Sequence, residues 1–389
     1  MSAILAAQQQ RWQYNEQKGK SMPYVDLHDK PFKDSTICKL EIFEDYTQAW
    51  IPAFVSQGYY KTIHIFDFFA GTGYDQNGIK GSPIRILDKL KEQIGYFFKY
   101  NIQAVVHFNE FNQKKYEQLV SSCSEYMEEN NNLKYHVSIK YYNEDFEKLF
   151  PELLPEISKY PALVFLDQNG IKFLSDNYLL ALEKTSKTDF IYFVSSSYFL
   201  RFGKKEEFRK HLDIDIEEAK NGGYKHIHRN ITEQLRKKLP ENTELKLYPF
   251  SLKKGANIYG IIFGASHPLA VHKFLDISWK RNPTNGDANF DIDDDTGLIQ
   301  LELFEKPKLK KLESFQKDVE VKVLSGEIKT NIQAIEYTYS QGHIPKHATD
   351  CLIKLKKRGN ITYNARTPLI SYDSVYKDKR EIIYEVVKK

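Results

Sequence analysis

Phe66-Asp67-Phe68-Phe69-Ala70-Gly71-Thr72-Gly73 closes an apolar, β-prone run that begins at Thr62. Two glycines one residue apart let the backbone turn sharply and approach a ligand with no Cβ in the way. At the end of a first strand, such a turn sits on the carboxyl edge of an α/β sheet, where nucleotides bind. The third glycine of the dinucleotide fingerprint is absent, and no Gly-Lys-Ser/Thr follows, so neither an NAD site nor a P-loop is favoured. The alternative is a tight strand-to-helix turn without a ligand.

Working outward, β-rich runs alternate with helical stretches at Gln103 to Phe108, Lys134 to Tyr141, Ala162 to Asp167 and Asp189 to Val194. Strand and helix in alternation predict a doubly wound α/β sheet. Glu244 to Phe250 and Asn257 to Phe263 follow closely enough to pair antiparallel, giving seven strands after a charged helical insertion at about 204–239. Upstream, Leu40, Phe43, Tyr46, Trp50 and Phe54 recur at spacings of 3, 3, 4 and 4, an amphipathic helix.

Three acids fall after successive strands: Glu110 after the second, Asp145 after the third and Asp167 after the fourth. A carboxylate at the first position can accept both hydroxyl protons of a ribose, and one at the next can meet an adenine amino group. Asp167 then faces the substrate space. Singly, each acid reads as a loop residue or helix cap; together they predict an adenosine-type site.

The 389 residues, 41% hydrophobic and 28% charged, predict two or three globular domains. Boundaries are read at 1–60 (helical extension), 61–304 (sheet domain) and 305–389 (linker and second domain). The longest apolar runs are far short of the ~20 residues of a membrane span. With no basic segment ahead of Ile4 to Ala7, a signal peptide is not expected either, and a cytoplasmic protein is. Cys38, Cys123 and Cys351 are too dispersed for a disulfide framework or metal knuckle, and no metal site is expected.

Charge is uneven. Residues 305–389 carry +7 and the first 304 carry −3. The basic end reads as helix (Ile332 to Ser340), turn, helix (Pro345 to Arg358) and two β-rich runs, Ile361 to Tyr363 and Glu381 to Val387. That order is a winged helix. Lys346, Lys354, Lys357 and Arg358 on or beyond its second helix, with Arg366, Lys377, Lys379 and Arg380 in the wing region, are the expected phosphate contacts, to DNA rather than RNA.

The segment Asp67 to Gly73, with Gly81-Ser82-Pro83, Cys38-Lys39-Leu40-Glu41, Asp167 with Gly170, and Phe263-Gly264-Ala265-Ser266-His267-Pro268, resembles the three-Cys-motif partner proteins. The similarity runs from about Lys39 to Trp279. It implies a Rossmann-like class I methyltransferase sheet, S-adenosylmethionine as cofactor, and a radical-SAM protein, bearer of the three cysteines, as partner. It also implies that Asp67, Phe69, Ala70, Gly71, Thr72 and Gly73 surround the methionine part, with Gly81 and Ser82 beside them. Glu110 takes the ribose and Asp145 faces the adenine. Where that family has Asp-Pro-aromatic-Gly, this chain reads Asp167-Gln168-Asn169-Gly170. Asp167 and the Asn169 amide are left as the catalytic candidates, without the proline and ring that support base N-methylation.

Other motifs read as structural. Asp291, Asp293 and Asp295 with Glu302 have their glycine at 297, one position late for a calcium loop, and are expected to be a solvated acidic loop. His343, His347 and Cys351 recur every four residues, but Pro345 is expected to start the helix after His343. His226 and His228 are expected in solvent. Ser195-Ser196-Ser197 lacks a nucleophile elbow. Two functional readings stand: a methyltransferase whose winged helix presents nucleic acid, or a non-catalytic subunit that binds nucleic acid or docks the partner.

Overall fold

Runs of apolar and β-branched residues form the strands, and the near-total burial of the central ones, unlike the more open edge strand Val137–Tyr142, follows from helices lying on both faces of a mostly parallel sheet. The computed structural model of the chain describes residues 34–167, 175–195, 214–219, 223–254, 257–294 and 309–387. Strands β1 (Thr62–Asp67), β2 (Gln103–Asn109), β3 (Val137–Tyr142), β4 (Ala162–Leu166) and β5 (Thr188–Ser195) are parallel. β6 (Lys246–Lys254) and β7 (Asn257–Ala265) pair antiparallel, and β7 runs antiparallel to β5. The order is β3-β2-β1-β4-β5-β7-β6, the seven-stranded class I methyltransferase arrangement. Because β1 lies between β2 and β4, the winding reverses there, and the carboxyl ends of β1 and β4 flank the switch-point crevice.

Helix α1 (Asp34–Val55) buries Phe43, Tyr46 and Trp50 against the sheet, with Phe43 stacked on Phe165 at 4.1 Å. The connecting helices are α2 (Ser82–Glu92), α3 (Ile94–Tyr100), α4 (Gln113–Glu129), α5 (Phe146–Lys159), α6 (Asp176–Glu183), the single turn α7 (Ile216–Ala219), α8 (Ile227–Lys237) and α9 (Pro268–Arg281). The Gly264 to Pro268 motif is architectural. A Cβ on Gly264 would lie 2.0 Å from the Phe190 ring, and His267 caps α9 by accepting from the Leu269 amide.

The C-terminal unit is a winged helix: α10 (Lys311–Leu324), α11 (Asn331–Ser340), α12 (Pro345–Lys357), then β8 (Ile361–Thr362) paired with β9 (Glu385–Val386). Helix α10 falls where the sequence reads as a lysine-rich linker; its Phe315, Val319 and Val323 are buried. The hydrophobic core continues without a break from the sheet through α9 into α10, α11 and α12. Hydrogen bonds that cross the junction include a buried one from Tyr248 to the Tyr339 carbonyl (2.9 Å) and a partly buried one from Trp279 to the Gly342 carbonyl (2.9 Å).

Several expectations change. His228 is fully buried, not solvated: its Nε2 meets the Val194 carbonyl at 3.1 Å, and a Cβ on Gly260 would strike its ring. His226 is partly buried against Ile292 and Asp293. Asp293 is clamped by Arg229, which also holds Asp287, so this acid is not a solvated loop residue. Asp295, Gly297, Glu302, Ser196 and Ser197 lie outside the described residues. Among the described residues, no helix is long and apolar enough to cross a membrane.

Candidate functional site

Gly71 and Gly73 both adopt positive φ, 68° and 87°, which explains why glycine stands at each. Three bonds then fix the turn above β1. The Phe69 amide donates to Asp67 Oδ1 (3.1 Å), the Ala70 amide to the Asn109 carbonyl (2.9 Å), and the Gly71 amide to Glu110 Oε2 (3.1 Å). Ser122 donates to the Thr72 carbonyl, and the Gly81 amide closes back on the Gly73 carbonyl at 2.7 Å. Gly81 is therefore the cap of α2, with Ser82 buried behind it and Pro83 in the first turn.

Glu110 is buried, and its Oε1 accepts from the Asn112 amide (2.8 Å), so this carboxylate ties the β1 and β2 loops together. Asn109 extends the tie: its amide donates to the Phe68 and Glu144 carbonyls, and its Oδ1 accepts from the Glu144 amide. Asp145 stands beyond, half-buried, as the N-cap of α5, accepting from the Glu147 amide at 2.8 Å. The loops after β1, β2 and β3, with Asp67, Glu110 and Asp145, are thus joined at one sheet edge.

Asp67 is 1% exposed, and its Oδ2 has no hydrogen-bond partner. Burial raises its pKa to about 7; the Ser82 hydroxyl and the Phe69 amide draw it down, and the nearby Asp167 pushes it up. A buried carboxylate oxygen without a donor is costly, and a cationic ligand group resolves that cost. The residues therefore fit an amino-acid-bearing nucleoside: a buried carboxylate with one unpartnered oxygen for an ammonium, a glycine turn for close approach, and a second carboxylate on the neighbouring strand for hydroxyls.

Asp167 follows β4 and forms an ion pair with Lys39 of α1. Lys39 is 5% exposed, and its ammonium also lies 4.3 Å from the Phe193 ring centroid. The sequence offers Asp167 as a candidate and Lys39 only as part of the Cys38-Lys39-Leu40-Glu41 motif; their pairing spans 128 residues. Asn169 lies outside the described residues, as do Gln168 and Gly170.

In the winged helix, α12 buries Ala348, Cys351, Leu352 and Leu355. Lys346, Lys354, Lys357, Arg358, Arg366, Lys377, Lys379 and Arg380 are all exposed. Arg358 reaches Glu320 (3.5 Å), Lys377 reaches Asp373 (3.9 Å) and Arg380 reaches Asp378 (3.1 Å). The helix begins at Pro345, as expected, and the buried His343 and His347 pair through their Nδ1 atoms at 3.0 Å.

The sequence model of a family described as GMT-like wHTH domain matches residues 289–368. No curated protein matches significantly. Among solved structures, one titled "delta-N METTL16 MTase domain" is 10% identical with a TM-score of 0.32, over 60% of this chain and 84% of that one. A second, "METTL16 MTase domain", is 12% identical with a TM-score of 0.33, over 65% and 76%. A third, a structure of "DszA carbon methyltransferase", is 11% identical with a TM-score of 0.34, over 60% and 55%. The strand order and register, not these distant likenesses, define the fold.

Proposed function

We propose that this chain is an S-adenosylmethionine-dependent methyltransferase that acts on or with nucleic acid, DNA in preference to RNA, beside a radical-SAM partner. The observation that carries the reading is the unpartnered, buried Oδ2 of Asp67 beneath a glycine turn at the switch point. Asp67 would hold the cofactor's ammonium, Glu110 its ribose hydroxyls, and Asp145 the adenine side. When bound, the cofactor supplies an electrophilic methyl group. Asp167, paired with Lys39, would accept a hydrogen bond from the methyl acceptor, and the exposed lysines of α12 would hold phosphates. The partner rests on the family resemblance alone.

Calorimetry with S-adenosylmethionine and S-adenosylhomocysteine tests the cofactor. Binding to the wild-type chain, weakened in Asp67→Asn, is expected; no heat for either ligand at high protein concentration overturns the proposal.

Two observations favour a second reading, a non-catalytic subunit. Lys39 already occupies Asp167, and the loop after it lacks the proline and ring that usually present a base. Transfer of a labelled methyl group to nucleic acid or to the partner supports the enzyme; cofactor binding without transfer to either supports the subunit.

A further inference from the structure

On the sheet face that carries α5, two strands and a helix bring together three side chains that lie far apart in the chain. His64 of β1 and His107 of β2 sit on one face because Phe66 is the register partner of His107 and His64 lies two residues before Phe66. Glu156, one turn before the end of α5, reaches down to both. His64 Nδ1 lies 3.0 Å from His107 Nε2, and Glu156 Oε2 lies 3.6 Å from the first and 3.4 Å from the second. The histidines are 3% and 2% exposed, while the Glu156 side chain is 36% exposed, so the cluster opens to solvent on the carboxylate side.

We propose that His64, His107 and Glu156 form a binding site for a divalent transition-metal ion, zinc in the first instance. A tetrahedral zinc with nitrogen and oxygen ligands at about 2.0–2.2 Å holds them roughly 3.3–3.5 Å apart. The three edges of this triangle bracket that spacing. Imidazole and carboxylate are the ligand types such an ion takes, and water supplies the fourth position on the open side.

The surroundings agree. The remaining nitrogen of His107, Nδ1, meets the Tyr142 hydroxyl at 3.0 Å, the outer hydrogen bond that fixes which nitrogen faces a metal. Phe66 stacks on His107 at 4.1 Å and Tyr160 on His64 at 4.4 Å, holding both rings in place. Burial keeps both imidazoles neutral near pH 7, as ligation requires. Among the described residues the opposing charge is Lys140, whose ammonium approaches Glu156 mainly through Oε1 (3.0 Å) and less closely Oε2 (3.3 Å), the oxygen turned toward the histidines. An ion here ties β1, β2 and α5 together below Asp67, Glu110 and the Asp145 cap, and so braces the site edge without touching it.

Chelator-treated full-length protein titrated with Co²⁺ and with Zn²⁺ tests the site. One ion per chain is expected, with tetrahedral cobalt absorption and a zinc-dependent rise in melting temperature. Glu156→Gln, at a half-exposed helix position that leaves the core intact, and His64→Gln should each weaken binding at least about tenfold, and Tyr142→Phe about tenfold through the outer bond. His343→Gln should leave it unchanged. No stoichiometric binding of either ion overturns the proposal, as does binding that survives Glu156→Gln but is lost in His343→Gln. Because the readouts are metal content and melting temperature, failure here is distinguishable from failure of the cofactor proposal.

Discussion

Asp67 shows most sharply what one residue contributes. Its carboxyl pKa is raised by burial from 3.8 to about 7, so in the unliganded fold its stabilising contribution is complete below the unfolded value and lost as pH rises toward 7. A cationic ligand group reverses the sign by needing the ionised form. Cofactor affinity should therefore be constant above pH 7 and fall by up to about tenfold per unit below it. Asp67→Asn should remove that pH dependence and cost ~1.5–3 kcal/mol of binding, roughly tenfold to a hundredfold. Calorimetry between pH 6 and 8.5 checks both; unchanged pH dependence in the variant would show that another group sets it. Glu110→Ala should cost a similar ~1.5–3 kcal/mol, but it also frees the Gly71 and Asn112 amides, so a lowered melting temperature is expected as well. Asp67 and Glu110 were legible in the sequence as candidates because the first ends and the second follows a recognisable strand. Lys39 was not, since nothing local ties it to an aspartate 128 positions away. The same applies to His64 and His107, which read as ordinary strand residues until the register sets them side by side.

At the scale of elements, the turn between β1 and α2 depends on Gly73. Its φ of 87° is strained for any L side chain, and a Cβ there would lie 2.9 Å from Ser122 Cβ. Gly73→Ala should cost about 1–3 kcal/mol of stability and displace the loop that carries the Gly71 amide. A melting curve together with cofactor titration separates the two effects, and an undisturbed variant would refute the packing argument. For the winged helix, if about four of its exposed cations touch phosphates, the logarithm of affinity should fall with that of salt at a slope of roughly −3 to −4. Lys354→Ala with Lys357→Ala should flatten it by about one unit per contact for all sequences alike. Anisotropy with short DNA and RNA duplexes measures this, and affinity weaker than millimolar at low salt for all of them would assign the face to protein docking. The central parallel strands were legible because buried parallel strands are near-continuous apolar runs, and the antiparallel β6 and β7 because their two apolar runs follow each other closely. Helix α10 was not: its stripe of Phe315, Val319 and Val323 is outnumbered by Lys, Glu and Asp on its other faces.

Over the whole molecule, the sequence divides the chain into sheet domain, linker and winged helix, while the structure joins the first and last through one core. Trp279 stands at the junction: it is buried, donates to the Gly342 carbonyl, and packs against His343 at 4.9 Å and His347 at 4.3 Å between ring centroids. Such a junction was invisible beforehand because it is made by aromatic and histidine side chains that look like surface punctuation in a lysine-rich stretch. Two units sharing a core should unfold in one transition, so a single calorimetric peak is expected for the wild type. Trp279→Ala should cost ~3–5 kcal/mol, the usual range for a buried aromatic, and split the peak. Acid should act at the same place. Burial lowers the pKa of His347 from 6.5 to about 4 and of His343 to about 2, with the Lys311 charge adding to both shifts. A base whose folded pKa is depressed contributes stability that is full above the unfolded pKa and is lost as pH falls toward the folded value. Stability should therefore decline from about pH 6.5 to about pH 4, and His347→Gln should reduce that decline. If melting temperature proves flat over this window, or equally steep in the variant, the histidine pair does not control the junction.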